Sequence, residues 1–325
     1  MSVIAGCSMF DGIILLSDCR ATLSRTGSKD IYVDNVQKIF PILPTTAIGF
    51  AGNICSASKI IAELASYLKQ KKGLHKLNSI KLLEWLPRYI RYKYGQISNT
   101  IPEPEVIFMV ASIVSDRPNV IERAKVVEIM ERFRLNKLSV NRNWIPSILV
   151  EILKTPPSKE NVSLSNVPLG LLYVMKPPLF VPEFIKPLEY SAIGSGEKVV
   201  EDIDRFVDWI FAGDVGNPYM EASSLREVVS KFIENNKIQT VGGLYPCIKI
   251  NGNGIQFLEN IWEIPVGGTK IELSFSAQGR WVQKNLITGK TIEIKYPWEI
   301  DFSKYLTDKK FDDMKKAFKE MENGN

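Results

Sequence analysis

The first fifty residues alternate short apolar runs with turns, and no helical pattern interrupts them. The turns carry glycine, proline or polar residues, which is typical of short strands joined by tight connections. Phe10, Asp11 and Gly12 form the first turn, so the pattern predicts a hairpin from the start of the chain. The polar stretch at residues 22–29 is predicted to be rich in turns. The predicted strands are residues 2–9, 13–17, 38–43 and 46–50.

Helical spacing of apolar residues begins at residue 54. A first helix is predicted over residues 54–71, with Asn53 or Ser56 as its N-cap. A second is predicted over about residues 79–94, and Pro87 is expected to bend it. Later helices are predicted at residues 199–211 and 220–235. Further strands are predicted at residues 106–114, 171–175, 180–183, 190–193, 244–250 and 255–258, the last two joined by a tight turn.

Residues 115–168 do not fit this order, and we interpret them as an insertion with helices of its own. Within it, residues 120–133 fit either one helix or a strand followed by a helix. The remaining order predicts an α+β fold in which helices cover two stacked antiparallel sheets, a four-layer αββα sandwich. Residues 1–260 would form this domain. Residues 261–325 would form a C-terminal extension, with strands at 270–276 and 291–296 and a helix at 308–321.

Charge does not single out a polyanionic partner. The 325 residues include 41 basic and 36 acidic side chains, a net charge of +5 that is spread along the chain. We therefore expect no nucleic-acid partner. No apolar run reaches the length of a membrane span, and the apolar N-terminus lacks the basic leader of a signal peptide. The expected location is the cytoplasm, without membrane association.

The cysteines do not have the spacing of a metal site. Cys7, Cys19, Cys55 and Cys247 form no CxxC pair, and His75 is the only histidine. A zinc site is therefore not expected, and nothing indicates another metal or an organic cofactor. Lone cysteines within apolar runs are typical of buried thiols in a reducing compartment.

Ser2 is the first candidate for chemistry. Methionine aminopeptidase removes Met1 before small residues, which would leave a free α-amine beside the Ser2 hydroxyl. An α-amine titrates near neutral pH and can act as the base that a serine nucleophile needs. Taken alone this is weak, because serine is common after the initiator methionine.

Five motifs follow Ser2 in a fixed order. They are Asp18-Cys19-Arg20-Ala21-Thr22, sixteen residues after Ser2, then Gln37-Lys38-Ile39-Phe40, Gly49-Phe50-Ala51-Gly52, Gly194-Ser195-Gly196 and Gly242-Gly243. With this order the chain resembles the N-terminal-nucleophile hydrolases, in particular the proteasome β-subunits and the bacterial HslV peptidase. The resemblance covers roughly residues 2–115 and 170–260.

The resemblance implies a role for each matching residue. Ser2 Oγ would be the nucleophile and its own α-amine the base. The Lys38 cation would favour the neutral amine and the developing alkoxide, and Asp18 would orient Lys38. The backbone N–H of Gly52 would donate to the oxyanion. Ser195 would form a hydrogen bond near the Ser2 amine, with a further charge contributed by Arg20.

Each of these residues also has an ordinary structural interpretation. Asp18 and Lys38 could be a surface ion pair, and Gly52 could be a plain turn glycine. Ser195 could be only the N-cap of the helix that follows. Cys7 is a rival nucleophile if the chain is cut after Gly6, but it lies only eleven residues before Asp18. One position departs from the family, because Ile238 stands where an aspartate is usual; Gln239 or Thr240 could substitute for it.

Three functions remain open from the sequence. The first is a peptidase or amidohydrolase that acts on peptide or protein substrates through an acyl-enzyme. The second is a connectase-like transpeptidase, in which an amine rather than water takes the acyl group. The third is a catalytically silent assembly subunit like the proteasome α-subunits, which carry an N-terminal helix that is not predicted here. The family resemblance also implies a homo-oligomer, either a ring or a smaller assembly.

Overall fold

Two five-stranded antiparallel sheets form the centre of the fold. The structure, a computed structural model, describes residues 2–9, 11–23, 30–70, 79–101, 103–115, 120–136, 168–185, 189–195, 197, 218–264, 269–276 and 280–301. The strands are β1 (Val3–Met9), β2 (Gly12–Ser17), β3 (Ala21–Leu23), β4 (Ile31–Val33), β5 (Ile39–Leu43), β6 (Thr46–Gly52), β7 (Val106–Ser115), β8 (Leu169–Met175), β9 (Pro182–Ile185), β10 (Tyr190–Gly194), β11 (Cys247–Asn251), β12 (Gly254–Phe257), β13 (Asn260–Ile264), β14 (Thr269–Phe275), β15 (Trp281–Asn285) and β16 (Thr291–Glu293). The helices are α1 (Ile54–Gln70), α2 (Ser79–Ile97), α3 (Val120–Asn136), α4 (Pro218–Asn235) and a short 3₁₀ helix (Pro297–Glu299).

The N-terminal hairpin lies inside the first of these sheets. The strand order of this first sheet is β10-β1-β2-β11-β12, and that of the second sheet is β5-β6-β7-β8-β9. The predicted pairing of the first two strands is confirmed, with Ile4 opposite Ser17 and Met9 opposite Gly12. Because β10 pairs with the other edge of β1, the first strand of the chain has a partner on both sides.

Alternate residues of β1 enter two different parts of the core. Ile4 lies in an apolar cluster between the two sheets, together with Met109 and Leu172 of the second sheet. Val3 and Ala5 lie in a cluster with α4 instead. Successive side chains of a strand point to opposite faces, so a strand covered on both faces must be apolar throughout. This explains the unbroken burial of β1 and β2.

Helices α1 and α2 cover the outer face of the second sheet, and α3 packs against α2. Phe50, Phe108 and Tyr173 of this sheet share a cluster with apolar residues of α1, α2 and α3. The fold is thus α+β, because its sheets are antiparallel and most of its described helices follow groups of strands rather than alternating with single strands. Both helices predicted before residue 100 are confirmed, and Asn53 rather than Ser56 caps α1, because Asn53 Oδ1 accepts a hydrogen bond from Ser56 N at 3.0 Å.

Helix α2 begins at Ser79, as predicted, and runs past its predicted end near residue 94. It continues through Pro87 and ends at Ile97, where the Ile97 carbonyl accepts hydrogen bonds from Thr100 N and Ile101 N. Leu86 and Ile90, on either side of the proline, are fully buried in the helix–sheet cluster. Tertiary packing of an apolar face stabilises a helix more than local propensity does, which accounts for the longer helix.

Two short strands, β3 and β4, flank the stretch predicted to be turn-rich, most of which lies outside the described residues. The three residues of β3 pair antiparallel with those of β4, so the described residues contain six strands before the first helix, where four were predicted. Three-residue strands carry too little periodicity to be recognised in the sequence. Their apolar side chains form a small cluster of their own, composed of Ala21, Leu23, Val33, Val36 and Ile300.

The insertion begins with one helix, α3, which resolves the choice left open for residues 120–133. The strand predicted at 180–183 lies later, as β9, because Phe180 has a positive φ of 51° and donates its N–H to the Lys176 carbonyl in a turn. The helices predicted at residues 199–211 and 308–321 lie outside the described residues.

The C-terminal extension contributes to the central core. Its strands form a four-stranded sheet in the order β13-β14-β15-β16, of which only β14 and β16 correspond to predicted strands. Ile271, Leu273 and Trp281 of this sheet join the cluster between the two central sheets. Trp281 is 1% exposed. The boundary predicted at residue 260 therefore separates two stretches whose apolar side chains pack together.

Candidate active site

Ser2, Asp18 and Lys38 meet in one buried cluster. Lys38 Nζ lies 2.9 Å from Ser2 Oγ and 2.8 Å from Asp18 Oδ1, and it also donates to the Arg20 carbonyl oxygen. Relative exposure is 4% for Ser2, 1% for Lys38 and 0% for Asp18. The ion pair is buried, which rules out its interpretation as a surface pair.

The β1–β2 hairpin places Ser2 beside Asp18. Ser2 immediately precedes β1, and Asp18 immediately follows β2, so antiparallel pairing brings the two residues to the same end of the sheet. Val3 N donates to Asp18 Oδ1 at 2.9 Å, and Asp18 N donates to the Val3 carbonyl at 3.2 Å. The position of Ser2 relative to Asp18 is therefore fixed by backbone contacts of its neighbour Val3.

The Asp18 carboxylate has four hydrogen-bond donors. Besides Lys38 Nζ and Val3 N, Arg20 N donates to Oδ2 at 3.1 Å and Gly242 N at 3.4 Å. A carboxylate removed from water is tolerated only when a charge partner and hydrogen bonds replace its hydration. Asp18 has both, so its oxygens are fixed and it can orient the Lys38 ammonium.

Gly52 ends β6 in a conformation that favours glycine. Its φ is +107°, and a Cβ atom there would lie 2.5 Å from the Glu105 carbonyl oxygen. The preceding residue, Ala51, lies close to Gly194, where an added Cβ would be 2.8 Å from the Ala51 Cβ and 2.1 Å from the Ser2 carbonyl oxygen. The end of β6 is thus near the Ser2 backbone. Donation from Gly52 N–H to an oxyanion stays a prediction.

Ser195 contacts Ser2 through the main chain. Ser195 N donates to the Ser2 carbonyl oxygen at 2.9 Å, one residue beyond the β1–β10 pairing. Its hydroxyl oxygen is buried and has no hydrogen-bond partner among the described residues. Because a buried hydroxyl without a partner is unfavourable, this group is suited to bind another polar group near Ser2. The helix that Ser195 was predicted to cap lies outside the described residues.

Arg20 contributes its backbone, rather than its side chain, to the cluster. The guanidinium binds both carboxylate oxygens of Asp34, at 2.6 and 2.8 Å, and donates to the Gln239 carbonyl at 2.9 Å. The hydrogen bond with Asp34 raises the pKa of Arg20 above its usual value. The ion pair with Asp34 had no signal in the sequence, and a contribution of the Arg20 charge beside Ser2 stays a prediction.

The structure explains why an apolar residue stands at position 238. Lys237 has a φ of +51°, its N–H donates to the Glu234 carbonyl at 3.1 Å, and Ile238 N donates to the Ile233 carbonyl at 3.0 Å. This is the hydrogen-bond pattern of a helix C-terminus closed by an apolar residue, and Ile238 packs against the α4 cluster. Of the two possible substitutes, Gln239 is bound to Arg20 through its carbonyl, and the Thr240 hydroxyl is buried without a partner among the described residues.

Sequence reasoning identified Gly242 only as part of a motif and missed its contacts. Gly242 N donates to Asp18, and the Gly242 carbonyl accepts from Cys19 N at 3.1 Å. A Cβ atom at Gly242 would lie 2.7 Å from Arg20 Cζ. Any larger residue would therefore displace the Arg20 guanidinium.

Cys7 is poorly suited to be the nucleophile. It lies within β1 and pairs with Ile14 on one side and Tyr190 on the other. Burial, with a smaller effect from the charge of Glu221, raises the pKa of the Cys7 thiol to about 12. Because only the thiolate is strongly nucleophilic, this thiol is inert near neutral pH.

Comparisons with known proteins add no family. A scan against protein-family models gives no match to this chain, and a search of curated proteins finds no similar sequence. Within the described part of the chain, no helix is long and apolar enough to span a membrane, and no group of three His, Cys, Asp or Glu residues could bind a metal ion.

Proposed function

We propose that this protein is an N-terminal-nucleophile hydrolase of the proteasome β-subunit and HslV type, a peptidase or amidohydrolase. Ser2 becomes the first residue after removal of Met1 and attacks the substrate amide. The observation that carries the proposal is the position of Lys38 Nζ, within hydrogen-bond distance of both Ser2 Oγ and Asp18 Oδ1. A buried ammonium beside a buried hydroxyl has no evident packing role, because an apolar pair would fill the space at lower cost.

Lys38 acts as the electrostatic component and not as the base. A charged ammonium that donates to Ser2 Oγ stabilises the negative charge that develops on this oxygen. The same charge favours the neutral form of the nearby α-amine, which then accepts the hydroxyl proton. Asp18 keeps the ammonium in place through its 2.8 Å ion pair. Exclusion of water from the cluster strengthens each of these interactions.

The reaction proceeds through an ester on Ser2. Oγ bonds to the amide carbon as its proton passes to the α-amine, and the carbonyl oxygen becomes an oxyanion that Gly52 N–H binds. The carbon–nitrogen bond then breaks as the leaving amine takes the proton from the α-ammonium. Water adds to the ester and releases the acid, and Oγ regains a proton. In a transpeptidase a second amine would replace the water in this step.

The architecture supports the proposal at the level of the fold. We propose that the two central sheets, with α1 and α2 on one outer face and α4 on the other, form the αββα sandwich of this family. The four cysteines are all free and buried, in keeping with a proposed cytoplasmic location.

A β-lactone probe tests the proposal. Incubation of the mature chain with the probe should add one probe mass, and peptide mapping should place it on Ser2. Ser2→Thr should keep the adduct, because it keeps hydroxyl and amine, while Ser2→Ala should lose it with an unchanged thermal midpoint. A chain that keeps Met1 and takes up no probe would refute the enzymatic function and favour an assembly subunit.

A further inference from the structure

The C-terminal extension pairs with the residues just before Lys38. Lys295 forms a parallel β-bridge with Val36. Gln37 N donates to the Lys295 carbonyl at 2.8 Å, and Lys295 N donates to the Asn35 carbonyl at 2.8 Å. Residues 259 positions apart thus form one short ladder, and this ladder ends one residue before the candidate catalytic lysine.

The other edge of the same segment contacts the residue after Asp18. Val36 N donates to the Cys19 carbonyl at 3.0 Å, and Val36 is fully buried. Residues 35–37 therefore lie between Cys19 and Lys295. Without Lys295, one of the two backbone partners of this segment would be lost.

The extension is itself well anchored at this point. Ile294 N donates to the carbonyl of the buried Trp281 at 2.9 Å. The rings of Tyr296 and Trp298 lie 5.7 and 5.4 Å from the ring of Phe40, two residues after Lys38. Residues 294–298, here called the Lys295 segment, thus contact the chain on both sides of Lys38.

We propose that the Lys295 segment is a positioning element for the Lys38 ammonium. The inference rests on the proposed function, since it assigns the extension a part in the same site. A lysine ammonium sits on a flexible stem of four carbons, so its place between Ser2 and Asp18 depends on where its Cα is fixed. Displacements of about 1 Å can lower the rate of a reaction about 10²-fold.

Two substitutions of the exposed Lys295 separate its backbone role from its side chain. Lys295→Pro removes the N–H that binds Asn35, whereas Lys295→Ala keeps it, and neither alters a buried side chain. We expect Lys295→Ala to label with the β-lactone within about twofold of the unchanged protein. Lys295→Pro should lower the limiting labelling rate about tenfold or more at unchanged probe affinity.

The pH profile distinguishes positioning from loss of folded protein. A displaced ammonium favours the neutral α-amine less, so the midpoint of the labelling rate should move to higher pH in Lys295→Pro. Partial unfolding would lower the amount of reactive protein and leave the midpoint in place. If Lys295→Pro fails to fold, Trp298→Leu, which loses the aromatic contact with Phe40, takes its place in each measurement.

Hydrogen exchange of the peptide containing residues 35–38 is a readout that does not depend on catalysis. Exchange should be about tenfold or more faster in Lys295→Pro than in Lys295→Ala. Unchanged exchange overturns the inference whether or not Ser2 reacts. Faster exchange with an unchanged labelling rate and midpoint also overturns it. If the protein without substitutions takes up no probe at all, the proposed function is refuted and the positioning role with it. The exchange result still shows whether Lys295 contacts residues 35–37.

Discussion

Lys38 Nζ lies 2.9 Å from Ser2 Oγ, and both side chains are almost entirely buried. The two residues come from different sheets, because Ser2 leads into β1 of the first sheet and Lys38 into β5 of the second. Their contact therefore depends on how the two sheets pack. Asp18 completes the arrangement by compensating the ammonium charge.

Substitutions in the buried Asp18–Lys38 ion pair should affect stability and activity differently. Lys38→Met leaves the Asp18 carboxylate buried without its counter-charge, so the free energy of unfolding should fall by about 3–5 kcal/mol. In the double variant Asp18→Asn/Lys38→Met the buried charge is absent, and most of this stability should return. Urea unfolding measures both effects.

Neither variant should react with the β-lactone. A Lys38→Met protein as stable as the unchanged one would mean that the Asp18 charge is compensated without Lys38. Labelling of the double variant at the normal rate would mean that the ammonium has no part in activating Ser2.

Gly52 should not tolerate a side chain. In Gly52→Ala the new Cβ meets the backbone of Glu105 and Val106 at 2.5 and 3.1 Å, at a positive φ that alanine disfavours. We expect a loss of about 1–3 kcal/mol in the free energy of unfolding, together with loss of probe labelling. Calorimetry and intact mass give the two quantities.

Gly95 provides the matched control. It lies in α2, is exposed, and an added Cβ would meet no atom within 4 Å. Gly95→Ala should therefore stabilise the protein by about 0.5–1 kcal/mol and leave labelling unchanged. Equal thermal midpoints for Gly52→Ala and the unchanged protein would contradict the strain argument.

Removal of the Ser195 hydroxyl should affect reactivity and not stability. The hydroxyl oxygen has no partner among the described residues, so Ser195→Ala breaks none of the hydrogen bonds described here, and the thermal midpoint should not fall. If the hydroxyl binds the α-amine of the processed chain, the labelling rate should fall about fivefold, the value of a typical hydrogen bond. An unchanged rate would separate Ser195 from the catalytic group.

Alkaline pH should destabilise the fold through its buried thiols. The Cys7 thiol has a pKa of about 12 in the folded protein against an ordinary value of 9.0, chiefly because of burial. Below pH 9 it is protonated in both states. Between these values only the unfolded chain loses the proton, so the free energy of unfolding falls by about 1.4 kcal/mol per pH unit for this group.

Cys7→Ala isolates that contribution. Urea unfolding between pH 9 and 11 measures how the free energy of unfolding falls with pH. The slope in Cys7→Ala should be shallower than in the unchanged protein by about 1.4 kcal/mol per pH unit. The same variant should still label on Ser2. If the free energy of unfolding falls equally steeply in both proteins, the pKa of Cys7 is not raised by the fold. Loss of labelling in Cys7→Ala would restore Cys7 as a candidate nucleophile.

The local parts of the fold were predictable because local patterns determine them. The hairpin of β1 and β2 follows from two apolar runs around Gly12, and α1 follows from its apolar spacing and Asn53 cap. The proximity of Asp18 and Lys38 is not a local property. Their spacing alone allows a surface pair, and only the resemblance to N-terminal-nucleophile hydrolases placed them together with Ser2.

The contacts that were missed join distant parts of the chain through the backbone. Gly242 N binds the Asp18 carboxylate across 224 positions, and Lys295 pairs with Val36 although the extension lies outside the family resemblance. A backbone N–H is the same in every residue except proline, so its partner leaves no trace in residue type. The Arg20–Asp34 ion pair was missed for a related reason, since many charges could have paired with Arg20.

The requirement for a free N-terminal serine can be measured with one pair of proteins. A removable leader peptide is fused directly before Ser2. Half of the sample is then treated with a protease that removes the leader and leaves no extra residue before Ser2, and the other half keeps the leader. Both halves are incubated with the β-lactone and weighed intact. We predict one probe mass on Ser2 in the released protein and none in the fused one. Equal labelling of both halves, or a released protein with no adduct on Ser2, would contradict the N-terminal-nucleophile mechanism.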